Sequence, residues 1–93
     1  MDSTCLEIFK ALSDETRQTI LELLDEHEMN VNQICIEFED MTQPTISHHL
    51  QILKRCLLVK SKRKGKMTYY SINKRTLRDG FEEYIGRFDI ELL

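Results

Sequence analysis

All sixteen acidic residues of this chain lie outside the segment Met41–Arg78, and ten of its thirteen Lys and Arg residues lie inside it. Met1–Asp40 holds eleven acids against Lys10 and Arg17, and Asp79–Leu93 holds five against Arg87. The formal net charge of −3 therefore conceals a centre of +10 between flanks of −9 and −4. Lys and Arg are almost never fully buried unless paired, so charge segregated this way in sequence has to be segregated on the surface too. A basic surface beside short polar side chains on a helix is the electrostatic footprint of a duplex-DNA reader.

The length of 93 residues fits one domain spanning residues 1–93, and a monomer this small buries only a modest share of its surface. Met1-Asp2-Ser3 offers neither a basic start nor a following apolar run, so no signal peptide is expected. No apolar stretch approaches the ~20 residues of a membrane span. A cytoplasmic protein without membrane insertion is the expectation. The cysteines Cys5, Cys35 and Cys56 are odd in number and far apart, which argues against a disulfide framework.

Periodicity supplies the elements. Cys5, Ile8, Phe9 and Leu12 have helical spacing over Thr4–Leu12. Ser13 looks like the N-cap of a second helix running from Asp14 to about Asp25, which offers Ile20, Leu21, Leu23 and Leu24 to a core. After the polar break Glu26-His27-Glu28, the stripe Val31, Ile34, Cys35 and Phe38 predicts a short third helix over Val31–Glu39. Thr42 caps a fourth helix with Pro44 in its first turn, where a missing N–H costs nothing. Ile46, Leu50 and Leu53 form its buried stripe, and Gln43, Thr45, Ser47, His48 and Gln51 its polar face. Two short helices joined tightly, the second polar on one side, are the helix-turn-helix pattern. Beyond Cys56 the pattern changes to two strands, Leu58–Lys62 and Met67–Ile72, joined by Arg63-Lys64-Gly65-Lys66, a basic hairpin that would form a wing. Asn73 is placed to cap a last helix, Lys74–Phe88, in which Gly80 weakens the helix or permits a close helix–helix approach. The fold class is mainly α with a small β-hairpin.

Bases are read from the major groove by residues near the start of such a helix. Gln43 has the donor and acceptor that pair bidentately with adenine, and Thr45 and Ser47 suit bases or phosphates. His48 and His49 are candidate phosphate donors; the alternative is that one packs under the helix and the other is merely wet. Thr42, Lys54 and Tyr70 complete the candidate set on the helix and hairpin. Lys60, Lys62, Arg63, Lys64 and Lys66 are candidate phosphate contacts, each steepening the salt dependence of binding; the alternative is a solvated charge run.

Three stretches, Phe9-Lys10-Ala11-Leu12-Ser13-Asp14-Glu15-Thr16-Arg17, Thr42-Gln43-Pro44-Thr45-Ile46-Ser47-His48-His49-Leu50 and Gly65-Lys66-Met67-Thr68-Tyr69-Tyr70-Ser71-Ile72, closely resemble the ArsR-type winged helix-turn-helix repressors. The resemblance spans nearly the whole chain. It implies a homodimer built through the first and last helices, with two recognition helices on a pseudo-palindromic double-stranded operator. Leu6, Phe9, Phe81, Tyr84, Ile85 and Phe88 fit that interface, being more apolar surface than a small monomer hides.

Many members of that family sense metals. The matching place for their Cys-x-Cys pair here is Asn30-Val31-Asn32, without a thiol, and the last helix has no histidine. Transition-metal sites need several converging His or Cys ligands, so no metal and no cofactor is expected. The chain instead resembles the short, metal-independent branch, which includes autorepressors relieved by a protein partner. Two other readings stay open. One is a thiol-responsive variant using Cys5 and Cys56, with Lys54 and Arg55 lowering the Cys56 pKa if its sulfur is exposed. The other is a winged-helix protein-interaction module docking through Glu26/Glu28 and Glu82/Glu83. An enzyme has little support: Ser47-His48-His49 are successive helix positions and point in different directions.

Overall fold

The computed structural model describes residues 4–91, so the Met1-Asp2-Ser3 start lies outside the described residues. The elements are α1 (Thr4–Leu12), α2 (Glu15–Glu26), β1 (Met29–Asn30), α3 (Val31–Ile36), α4 (Gln43–Arg55), β2 (Val59–Lys64), β3 (Met67–Ile72) and α5 (Lys74–Ile85). β2 and β3 form an antiparallel hairpin registered from Val59↔Ile72 to Lys64↔Met67. β1 joins the other edge of β3 through Met29↔Tyr70 and Asn30↔Tyr69, giving the order β1-β3-β2. β1 has no counterpart in the sequence reading, because two residues are too few to show an alternation.

The helices close over one core. Ile8, Ile20, Leu21, Leu24, Ile34, Ile46, Leu50, Leu53, Leu58, Val59 and Tyr70 meet there. Ile46, Leu50 and Leu53 of α4 are each 0% exposed. Burying such side chains contributes about 1.5–3 kcal/mol apiece, which fixes the roll of α4 about its axis and turns its polar face outward.

Capping shows where local chemistry is legible to within a residue and where it is not. The α2 cap is Asp14, not Ser13: its carboxylate accepts the Arg17 N–H at 3.0 Å. Ser13 instead closes α1, its hydroxyl donating to Lys10 O at 2.7 Å. α3 starts in a reciprocal capping box, with Gln33 N donating to Asn30 Oδ1 and Asn30 N to Gln33 Oε1, both at 2.9 Å. It ends at Ile36 rather than Glu39, yet Phe38 still packs on the core from the turn that follows. The hairpin extends to Lys64, so its turn is only Gly65-Lys66, with Gly65 at φ +63°. Asn73 makes no side-chain cap bond, and α5 stops at Ile85, short of Phe88.

Two close fits position the ends of the reading unit. After α4, Leu57 N donates to Lys54 O and Leu58 N to Leu53 O, both at 3.0 Å. These are the paired bonds of a Schellman turn, with Leu53 and Leu58 making its apolar contact. The turn requires a left-handed residue, and Leu57 supplies it at φ 64° while 63% exposed. At the α1–α5 crossing, a Cβ on Gly80 would lie 2.6 Å from Ile8 Cδ1, so the close approach expected of Gly80 is real.

Leu57→Gly should therefore stabilise the protein by about 0.5–1 kcal/mol, the left-handed strain relieved less the entropy a glycine adds to the unfolded chain. Gly80→Val should destabilise it by about 1–3 kcal/mol through overpacking against Ile8. Chemical denaturation of both variants checks the two signs; an unstable Leu57→Gly or a neutral Gly80→Val contradicts this account.

Candidate nucleic-acid interface

The exposed face of α4 begins at its cap. Thr42 Oγ1 accepts from Thr45 N at 3.4 Å, and the Thr42 and Thr45 hydroxyls are 3.0 Å apart. Gln43, Thr45, His48 and Gln51 are exposed and Ser47 is half-buried, so the turn of helix that starts α4 presents amide, hydroxyl and imidazole groups together. Gln43 is already engaged within the fold: its Nε2 donates to Asn32 Oδ1 of α3. Lys54 is exposed in the last turn.

His49 belongs elsewhere. Its side chain is 14% exposed and faces α2, not the solvent face of α4. Arg17 donates from a guanidinium NH to His49 Nδ1 at 3.2 Å, and Asp14 Oδ2 stands 3.9 Å from the same nitrogen. An imidazole that accepts at Nδ1 is neutral with its proton on Nε2. Burial pushes the His49 pKa below its ordinary 6.5, and the nearby Asp14 carboxylate only partly opposes this. His49 is thus turned toward Arg17 and Asp14, while His48 is exposed on the outer face. Asp14 is held below its ordinary 3.8, chiefly by the hydrogen bond from the Arg17 amide.

The hairpin keeps most of its cations in water. Lys60, Lys62, Arg63 and Lys66 are exposed, and Arg63 Nε donates to Gly65 O at 3.2 Å, folding over the turn. Lys64 differs in having a partner. Its ammonium pairs with Glu28 and lies 5.3 Å from the centre of the Tyr69 ring, while its side chain stays exposed. Tyr70 is buried: at 7% exposure, paired with Met29, it is part of the core. Tyr69, its neighbour on the opposite face of β3, is the more accessible of the two.

At the other end of the molecule Phe9 stands edge-on to Phe81 at 5.3 Å and to Tyr84 at 5.0 Å, and Tyr84 to Phe88 at 5.2 Å. Leu6, Phe81, Tyr84 and Phe88 are exposed there and Ile85 is half-buried. Cys5 is buried beneath this strip, with Arg87 donating to its sulfur at 3.1 Å. Cys56 does not have the lowered pKa that Lys54 and Arg55 suggested. Burial pushes its thiol up, and its sulfur faces the carbonyls of Leu53 and Ile52 at 3.4 and 3.6 Å. Among the described residues no three His, Cys, Asp or Glu side chains gather closely enough to hold a metal ion.

The sequence reading gives no role to Arg17, Asp14 or Asn32 at this surface. Arg17 carries a signal, since it and Lys10 are the only Lys or Arg residues in an acid-rich stretch of forty. Asn32 carries none.

Residues 14–61 match the family described as bacterial regulatory protein, arsR family. The chain is 40% identical to the Transcriptional repressor SdpR of Bacillus subtilis (strain 168) over 88 residues, 91% of this chain and 97% of that one. Among solved structures it is similar to an ArsR-like transcriptional regulator from Rhodococcus sp. RHA1, with a TM-score of 0.81 at 29% identity, covering 91% of this chain and 81% of that one. It is also similar to the homodimeric winged helix-turn-helix DNA-binding domain of a possible ArsR-family regulator from Mycobacterium bovis, with a TM-score of 0.75 at 30% identity, covering 96% and 83% of the two chains.

The neutral His49 predicts an acid-side weakness. Above 6.5 its site is undisturbed. As the pH falls below that value the unfolded chain takes up a proton that the folded chain resists, so stability drops until the lower folded-state pKa is passed. A further loss sets in below 3.8, where Asp14 protonates more readily in the unfolded chain than in the folded one. Melting temperatures measured on either side of 6.5 should fall with acidification in the wild type and stay nearly level in His49→Asn. Equal slopes in both proteins would show that the loss has another source.

Proposed function

This chain belongs to the ArsR family of bacterial regulatory proteins, and from that premise we propose that it represses transcription as a homodimer, placing one α4 in the major groove of each half of a pseudo-palindromic operator. The observation that carries the reading is the division of α4. Ile46, Leu50 and Leu53 are sealed in the core, so Gln43, Thr45, Ser47 and His48 are left facing outward. Gln43 supplies the bidentate amide for a base edge, while Thr45, Ser47 and His48 suit bases and phosphates. Lys60, Lys62, Arg63 and Lys66 of the hairpin supply charge for the adjoining backbone.

Dimerisation follows from the exposed aromatic strip on α1 and α5. An isologous pairing through Leu6, Phe81, Tyr84, Ile85 and Phe88 would cover that strip in both copies at once. Two recognition helices about 34–36 Å apart would then meet successive major-groove faces of one duplex. The relatives named as a repressor and as a homodimeric DNA-binding domain support both parts of this reading. No helix among the described residues is long and apolar enough to cross a membrane, and we place the protein in the cytoplasm. Catalysis has no support in the geometry: His49 Nδ1 is committed to Arg17, so Ser47, His48 and His49 do not form a relay.

Gel-shift titrations with the duplex upstream of the protein's own gene, over a series of salt concentrations, test the reading. Specific retention at physiological salt is expected. Lys62→Ala together with Arg63→Ala should weaken binding to every duplex and make the log–log salt slope shallower by about 3 to 4 for a dimer, near 0.9 for each phosphate no longer neutralised. An unaltered slope removes the hairpin from the interface. Binding that vanishes at moderate salt without sequence preference favours a protein-interaction module instead.

A further inference from the structure

The bond between Gln43 and Asn32 joins two exposed side chains on different helices. No part of the core depends on it. Its two anchors are nevertheless rigid. Asn32 follows the buried Asn30 and sits inside the Asn30–Gln33 capping box, which fixes the first turn of α3. Gln43 opens α4, whose first turn is held by the Thr42 cap and by Pro44. A long, three-torsion side chain is thus pinned at its tip by a short one, between two helix starts held in the same rigid unit.

The chemistry of the pin is selective. Asn32 contributes an acceptor oxygen, so it engages the amide nitrogen of Gln43. That leaves the Gln43 carbonyl oxygen and the second amide hydrogen unspent. Adenine presents N6–H as a donor and N7 as an acceptor in the major groove, which is the complement of those two groups. A glutamine held in this sense loses little ordering entropy when it meets adenine.

We propose that Asn32 is a positioning residue for base recognition: through Gln43 it sets the preference for adenine at one base pair of each half-site, without touching the base itself. The inference rests on the reading that α4 enters the major groove. It also predicts that an acidic residue at position 32 keeps the preference, because a carboxylate only accepts and therefore holds the amide the same way round.

The experiment is selection of bound sequences from a randomised duplex library by the full chain, in parallel for wild type, Asn32→Ala, Asn32→Asp and Gln43→Ala. Wild type should enrich one half-site pattern containing a dominant A·T pair. In Asn32→Ala that single position should flatten by roughly tenfold, toward the lower end of what one bidentate pair confers, with the other positions and the melting temperature unchanged. Gln43→Ala should flatten the same position, and the double variant should flatten it no further. Asn32→Asp should restore the preference while binding more weakly overall, through repulsion from phosphate. Full preference for adenine in Asn32→Ala overturns the inference. So does an even loss across all positions, or a fall in melting temperature, which would mark a structural role. If wild type enriches no pattern at all, the DNA-reading function fails first and takes this inference with it.

Discussion

One guanidinium ties the reading helix to the two helices before the helix-turn-helix. Arg17 donates through Nε to Ala11 O at 2.7 Å, a carbonyl at the end of α1, and through an NH at 3.5 Å to Lys10 O, which Ser13 already engages. Its backbone N–H is held by Asp14 at the start of α2, and its other terminal nitrogen, Nη1, donates to His49 on α4. Three helices therefore meet at a single planar fork. Lysine has no equivalent, since an ammonium lacks the fixed divergent geometry that reaches two carbonyls and an imidazole at once. This polar joint lies beside an apolar core with no buried side-chain nitrogen or oxygen left unpaired among the described residues. The roll of α4 is thus set twice, by its aliphatic stripe and by this fork.

The charge segregation of the sequence survives folding, but trimmed. Glu28, just beyond α2, reaches across to Lys64, and Asp25 of α2 pairs with Lys74 at 2.7 Å. Both pairs draw acid from the N-terminal segment onto the margin of the basic one. What remains exposed without an acidic partner among the described residues is a smaller set, Lys54 and Arg55 on α4, Lys60, Lys62, Arg63 and Lys66 on the hairpin, and Arg78 on α5. A focused patch of this kind steers a polyanion to one face and leaves the acidic helices to repel it elsewhere.

Short-range features of the fold are legible in the sequence and long-range ones are not. The Thr42–Pro44 start of α4, its stripe and the glycine turn of the hairpin all follow from spacings of a few residues. The burial of His49 has a short-range signal as well. With Ile46, Leu50 and Leu53 it completes an i, i+3, i+4, i+7 set, so it lies on the edge of the buried stripe. Tyr70 is hidden by a different ambiguity. Met67–Ile72 is apolar or aromatic on both faces, and only the pairing with Met29 decides which tyrosine points inward. Lys64 with Glu28 and Gln43 with Asn32 join residues far apart in the chain, and nothing local to either partner announces the other. The sequence therefore locates the candidate surface as a region, but does not reveal which of its members are already occupied.

The crossing of Ile8 over Gly80 has a bearing on how the chain acquires its shape. α1 is made before α5, the helix that crosses it at Gly80, although it also packs against α2. The α2–β3 unit has most of its partners within its own span and can condense while synthesis continues. Until α5 arrives, Ile8 lacks its contact at Gly80 and Phe9 lacks its edge-on partners Phe81 and Tyr84. A nascent chain stalled before Gly80 would leave part of the apolar surface of α1 uncovered, the kind of exposure that makes folding intermediates prone to associate.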